Sequence, residues 1–383
     1  MSVARGDAVA LTRALVRVDS RNPTLVPDGP GEMPCARVLA EVLRDWGLAV
    51  EIDEVAPGRP NVVARAGAGG GRSLMCNGHL DVVGIEGMTH APFDADVRDG
   101  RMYGRGATDM KAGIAAMCAA TVRAMDAGLG GEIVIAAGCD EEMESLGTIA
   151  LLERGVRADA AIVTEPTRLS IMPAHRGFVW ARLSVHGRAA HGSRYDIGVD
   201  AVRLAALVLA ELDAVDAEVL PRRTHPLLGR GSLHASTIRG GVGWSTYPDR
   251  CIVELERRTI PGERADDVVA EIEAAVARVR ARRPELVADV ERCFAAGPSD
   301  VATEAPIVRS LASALEASGE AVRIEGMSAW TDCAHLNAAG IPAICFGPGD
   351  IALAHAAEEW VDVREIERAT EVLTRLAGEW ARG

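Results

Sequence analysis

Histidines and carboxylates able to hold a metal ion recur at the ends of apolar runs in this sequence. In CNGHLDVV, His79 and Asp81 stand two residues apart, so a strand there would turn both side chains to one face. In GRGATDMKAG, Asp109 follows a glycine-rich stretch and precedes a helical pattern. GCDEEMES closes a second apolar run with Asp140, Glu141 and Glu142 in succession, VTEPT closes a third with Glu165, and AHAAEEWV supplies His355. Each piece also has an ordinary reading: a core histidine beside a stray aspartate, a helix cap at Asp109, a solvated acidic turn at 140–142. Against the last stands repulsion, since three adjacent carboxylates at a partly buried strand end call for a positive partner.

Together His79, Asp109, Glu142, Glu165 and His355 make a set of two histidines and three carboxylates. If Asp109 bridges, each of two cations receives one histidine, one terminal carboxylate and the shared aspartate. Nitrogen and oxygen donors of this kind suit two Zn²⁺ ions and tolerate Co²⁺ or Mn²⁺, in the arrangement of two-metal hydrolases. Glu141, beside a ligand, is then placed to take a proton from the attacking water.

The elements that must position these residues follow from periodicity. DAVALTRALVRV, ARVLAEVLRDWG and MKAGIAAMCAATVRAMDAG read as helices, and NVVARA, SLMCNGHLDVV, EIVIAAGCD and ADAAIVTE as short buried strands. Strands separated by helices predict an α/β layer with a mostly parallel sheet flanked by helices, and such sheets bind ligands beyond the carboxyl ends of their strands. From Gly177 the pattern changes. FVWARLSVHGRA and RCIVELERRTI alternate as half-exposed strands, each followed by a helix, which predicts an inserted α+β domain over 177–293. The catalytic domain is thus expected in two parts, 1–176 and 294–383. The glycine run at 67–71 lies between two strand patterns and is expected to be a hairpin turn in preference to a phosphate cradle.

Composition excludes several classes of function. The 383 residues are 48% hydrophobic and 25% charged, too apolar for a disordered regulator. Forty-one Lys plus Arg against 55 Asp plus Glu give a net charge of -14, which repels nucleic acid and anionic lipid. No run reaches the ~20 apolar residues of a membrane helix, and MSVARGDAVALTRALVRV has no signal-peptide core, so a soluble cytoplasmic protein is expected. The eight cysteines form no C-x-x-C pair and read as reduced core thiols.

GHLDVV, YGRGATDMKAG, CDEEMES, VTEPT, AAHGS, PDRCIVELERRTIPGE, WTDCAHLNAAGIPAICFGPG and AHAAEEWV, in this order along nearly the whole chain, resemble the successive motifs of one metallopeptidase family. It is the zinc amidohydrolase family of acetylornithine deacetylase, succinyl-diaminopimelate desuccinylase, aminoacylase-1 and the glutamate-releasing carboxypeptidases. The resemblance implies a catalytic α/β domain interrupted by a lid and dimerisation domain, and a homodimer formed through that lid. It implies that His79, Asp109 and Glu165 hold one zinc ion, that Asp109, Glu142 and His355 hold the other, that Glu141 is the general base and that Asp81 orients His79. It further implies a cis peptide between Asp109 and Met110. His191 in AAHGS resembles the lid histidine that stabilises the oxyanion, often from the neighbouring subunit; a plain turn histidine is the other reading. Arg258 resembles the lid arginine that grips a substrate carboxylate; period-2 geometry puts it on one face with Glu254 and Glu256, which also allows a solvated cross-strand ion pair. Ser245 stands where the family usually has asparagine, a shorter side chain without an amide. Trp330 lines the acyl or side-chain pocket or packs in the core. The substrate implied is an N-acyl amino acid, with a dipeptide or other short peptide as the alternative.

Overall fold

The computed structural model describes residues 3–67 and 69–382. The chain divides into two compact units, one formed by Met1–Pro173, Val301–Met327 and Thr331–Gly383, the other by Ala174–Asp300 and Ser328–Trp330. The second unit begins ahead of Gly177 and continues past residue 293.

The first unit opens with helices α1 (Ala8–Val16) and α2 (Met33–Asp45). Asp7 caps α1 by accepting the Ala10 N–H at 2.9 Å. Strands β1 (Ala49–Ala56), β2 (Arg59–Ala66) and β3 (Ser73–His79) follow, then the short strands β4 (Asp96–Arg98) and β5 (Arg101–Tyr103). Helix α3 (Ala112–Asp126), strand β6 (Glu132–Gly138), helix α4 (Leu146–Glu153) and strands β7 (Ala160–Val163) and β8 (Ile171–His175) complete this part. Helix α3 is alanine-rich and buried on nearly every side, which suits a helix sandwiched between a sheet and other helices.

The second unit contains β9 (Gly177–His186), α5 (Ala201–Ala214), the short strands β10 (Thr224–His225) and β11 (Gly229–Arg230), then β12 (Ser232–Gly240), β13 (Arg250–Thr259), α6 (Ala265–Arg282), β14 (Val287–Ala296) and β15 (Ser299–Asp300). Its main sheet is antiparallel in the order β12-β13-β9-β14. The inner strands β9 and β13 alternate cleanly, with Val179, Leu183, Val253 and Leu255 buried against α5 and α6. Sequence periodicity does not reveal strands β12 and β14. They are edge strands exposed over most of their length, so no burial pattern marks them.

The chain returns to the first unit with α7 (Pro306–Ala317), β16 (Ile324–Met327), α8 (Cys333–Ala338), β17 (Ala343–Cys345), β18 (Trp360–Asp362) and α9 (Val363–Trp380). Helix α9 is capped by Asp362 and buries Ile366, Ala369, Leu373, Leu376 and Trp380, a helical stripe that packs against α3 and α7.

The large sheet runs β1-β2-β6-β3-β7-β17-β8. Its centre, β6-β3-β7-β17, is parallel, while β1, β2 and β8 pair antiparallel at its flanks. Because β6 separates β2 from β3, the glycine run 67–71 joins strands that are not neighbours and is not the expected hairpin turn; its residue 68 lies outside the described residues. Of the cysteines, Cys293 on edge strand β14 is exposed and the other seven are buried. No helix among the described residues is long and apolar enough to cross a membrane.

Candidate metal centre

Register in the parallel part of the sheet brings the acidic loops together. His79, the last residue of β3, lies opposite Gly138 of β6, and Asn77 lies opposite Val163 of β7. Glu141 and Glu142 therefore leave β6, and Glu165 leaves β7, at the same carboxyl edge from which His79 projects. Asp109 arrives on the turn between β5 and α3, which presses on β3 so closely that a Cβ on Gly78 would meet Met110 Cε at 2.8 Å. The Asp109–Met110 peptide is cis. His355 sits on the loop before β18 with a φ of 59°, a left-handed conformation uncommon outside glycine.

The cluster is built around Asp109. Its Oδ1 lies 3.1 Å from His79 Nε2, and its Oδ2 lies 3.4 Å from His355 Nε2. His355 Nε2 is also 3.0 Å from Glu142 Oε2. On the other side His79 Nε2 stands 3.8 Å from Glu141 Oε2 and 3.9 Å from Glu165 Oε1. Donor atoms of His79, Glu141 and Glu165, and likewise of His79, Asp109 and Glu142, fall within 4.8 Å of one another. His79 and Glu165 are buried, whereas the His355 side chain is 52% exposed.

Electrostatics mark the cluster as short of positive charge. Burial pushes the Glu141 and Glu165 carboxyls well up despite the opposing His79 charge, and Glu142 up as well, with repulsion among the neighbouring carboxylates adding to the effect. Burial opposes a charged His79, yet its hydrogen bond to Asp109 and the charges of Glu141, Asp81 and Asp109 hold it well above its ordinary value. His355 is raised to about 10 through its hydrogen bonds to Asp109 and Glu142. Burial would raise Asp109, but hydrogen bonds from His355 and His79 bring it down. Imidazole and carboxylate donors that gather this much negative charge in a buried setting fit divalent cations that prefer nitrogen and oxygen ligands.

A ring of buried polar groups supports the cluster. His79 Nδ1 lies 3.0 Å from the backbone carbonyl of Asp81 and 3.6 Å from its carboxylate. That carboxylate accepts the N–H groups of Glu141 and Glu142, each at 3.2 Å, and the Asn22 amide at 2.9 Å. Asn22 also donates to Asp140, which pairs at 2.7 Å with Arg59, itself paired at 2.7 Å with the buried Glu32. On the opposite side Glu359 accepts the Thr108 and Asp109 N–H groups at 2.9 and 3.1 Å. Asn22, Arg59 and Glu359 were missed from sequence. Glu359 stands within AHAAEEWV, four residues after His355, but an EEW segment reads as an exposed acidic turn.

The remaining candidates belong to the second unit. His191 is exposed and its Nδ1 lies 2.9 Å from Ser193 Oγ. Its loop bridges to Thr246, and the Gly192 N–H donates to the Ser245 carbonyl at 2.8 Å, which brings His191 and Ser245 into adjoining loops. Arg258 Nε donates to Glu256 at 2.7 Å, and its guanidinium lies 5.2 Å from the Phe178 ring centroid. Trp330 donates from Nε1 to the Gly297 carbonyl at 3.0 Å and meets His175 edge-on.

Known proteins resemble this chain over nearly its full length. An acetylornithine deacetylase from Myxococcus xanthus is 31% identical over 87% of both chains. An N-formyl-4-amino-5-aminomethyl-2-methylpyrimidine deformylase from Bacillus subtilis is 28% identical over 89% of this chain and 88% of its own. Among solved structures, the aminopeptidase PepT from Bacillus cereus superposes with a TM-score of 0.81 at 21% identity, covering 99% of this chain and all of its own. Residues 75–379 match Peptidase family M20/M25/M40, and the span from β3 to α9 that carries the whole carboxylate and histidine cluster makes the protein a hydrolytic enzyme of that family.

Proposed function

We propose that the protein removes the acyl group from an N-acyl amino acid, cleaving the amide with water to a carboxylate and a free amine. The observation that carries this reading is Asp109 standing between two histidines, one oxygen toward each, with Glu141 on the His79 side. His79, Asp109 and Glu165 would hold one Zn²⁺ ion and Asp109, Glu142 and His355 a second. When bound, such a pair supplies Lewis acidity to the amide carbonyl and to water.

The protein's own groups supply the rest. Glu141 is the base that takes a proton from water and returns it to the departing amine nitrogen. Asp81 holds the backbone of Glu141 and so the reach of its carboxylate. Arg258 offers a guanidinium fork to the substrate carboxylate, and would have to exchange its Glu256 partner for it. Ser245 and Trp330 contact the acyl or side-chain portion. His191 donates to the oxyanion from a neighbouring copy of the chain. Self-association is supported by edge strand β12 and by the exposed Ile238, Val242 and Trp244 on and just beyond it.

Relatives named for removing acetyl and formyl groups favour deacylation over peptide hydrolysis. The test is a panel of N-acetyl, N-succinyl and N-formyl amino acids with dipeptides, assayed with zinc- and cobalt-loaded enzyme and after chelation. Turnover of acyl amino acids, lost on chelation and restored by Zn²⁺ or Co²⁺, is expected. Preference for dipeptides would replace the deacylase reading by a peptidase, and full activity in metal-free protein would remove both.

A further inference from the structure

Glu359 is completely buried, and its carboxylate meets the candidate ligand Asp109 at the backbone N–H. One of its oxygens accepts two successive backbone N–H groups, those of Thr108 and Asp109. The other accepts Arg105 Nη1 at 2.6 Å, and Arg105, itself 3% exposed, anchors its Nε on the Gly84 carbonyl at 2.9 Å. Consecutive N–H groups aimed at one point make an anion-binding notch. Here the anion comes from the protein itself, and a guanidinium closes its far side.

The position of Glu359 in the chain gives the contact its meaning. It lies between His355 and β18, and β18 pairs with β5, so this strand pair carries both the turn that bears Asp109 and the loop that bears His355. The Thr108 hydroxyl adds a bond to the Trp360 carbonyl at 2.7 Å, and the Gly104 N–H donates to the Glu359 carbonyl at 3.2 Å. His79 and Glu165 project from or just beyond ordered strand ends. Asp109 and His355 do not; they come from loops, and the carboxylate of Glu359 is the charged tie between those two segments, beside the Thr108 and Gly104 bonds.

We propose that Glu359, with Arg105 as its charge partner, is a positioning residue that fixes the Asp109 carboxylate against His355 and thereby assembles the half of the centre formed by Asp109, Glu142 and His355. This rests on the two-ion reading above. Partners that orient ligands without touching the ion change affinity by ~10- to 100-fold. The effect should fall on one ion more than on the other, because His79 and Glu165 keep their strand supports.

The experiment is a Co²⁺ titration of the full chain, followed by calorimetry and by the visible absorption of bound cobalt. Wild-type protein should take up two ions; uptake of none would overturn the two-ion reading itself. Glu359→Ala should leave one ion bound within about threefold of wild type and weaken the other by ~10- to 100-fold, with a changed cobalt spectrum. The double variant Glu359→Gln with Arg105→Gln keeps an acceptor for the two N–H groups without a buried charge pair, and should restore most of the lost affinity. Folded Glu359→Ala that binds both ions as wild type does would overturn the proposal. If Glu359→Ala does not fold, the double variant decides: two ions at near wild-type affinity together with selective loss of one ion in Arg105→Gln alone supports it, and wild-type binding in Arg105→Gln alone overturns it.

Discussion

The Nδ1 atom of His79 is held by the backbone carbonyl of Asp81 at 3.0 Å, while the Asp81 carboxylate stands farther off, at 3.6 Å. A carbonyl oxygen only accepts, so it keeps a proton on Nδ1, and Nε2, which hydrogen-bonds Asp109 at 3.1 Å, is the nitrogen left to offer a lone pair to a cation. The side chain of Asp81 is thereby free for another task, which is to hold the adjacent N–H groups of Glu141 and Glu142.

Asp81→Asn should therefore leave the His79 tautomer intact and disturb the glutamate turn. Turnover is expected to drop ~10- to 100-fold, the range for a lost supporting partner, while long-range ¹H–¹⁵N spectra still show the proton on Nδ1. A shifted tautomer with normal turnover would mean that the carboxylate acts on His79 and not on the turn.

The adjacent glutamates should separate in their effects. Glu141→Gln is expected to retain metal and lose roughly 10² to 10⁴ in turnover, as for a positioned general base. Glu142→Gln should chiefly weaken metal binding, because its carboxylate meets His355 at 3.0 Å. Metal content and initial rates measured on the same preparations check both, and two variants within a fewfold of wild type in each respect would refute the assignment.

Arg59→Met should destabilise the fold by roughly 3 to 5 kcal/mol, the usual cost of stripping the partner from buried charges. Arg59 is 7% exposed, and its loss leaves Glu32 and Asp140 without their guanidinium. Urea unfolding monitored by tryptophan fluorescence measures this directly. A change below about 1 kcal/mol would show that the Asn22 amide suffices to hold Asp140.

If His191 serves the site of a neighbouring chain, His191→Ala and Glu141→Ala proteins should each be nearly inactive alone and recover activity when mixed after reversible dissociation. Mixed dimers then contain one site with an intact Glu141 from one chain and an intact His191 from the other. Confirmed mixed dimers that stay inactive would confine His191 to its own chain or remove it from the reaction.

The candidate cluster was legible in the sequence because most of its residues sit in short motifs next to a strand or helix whose periodicity is itself local. His79 closes β3, Glu165 follows β7, and Glu141 and Glu142 follow β6, so a reader who finds the strands also finds the acidic ends. The change of pattern after Gly177 was visible for the same reason, since β9 and β13 alternate in burial where β3, β6 and β7 are buried almost throughout. Exposed edge strands β12 and β14 carry no such imprint, and the strand order that denies the glycine run a hairpin depends on which distant segment fills the gap beside β2. Only tertiary structure could reveal that Glu359 ties down Asp109 across 250 residues of sequence, or that Asn22 and Arg59 meet Asp140 beneath the glutamate turn. Local patterning reports which face of an element is buried. A buried charge is stable only beside the particular partners that the folded chain brings to it, and those partners can come from anywhere in the sequence.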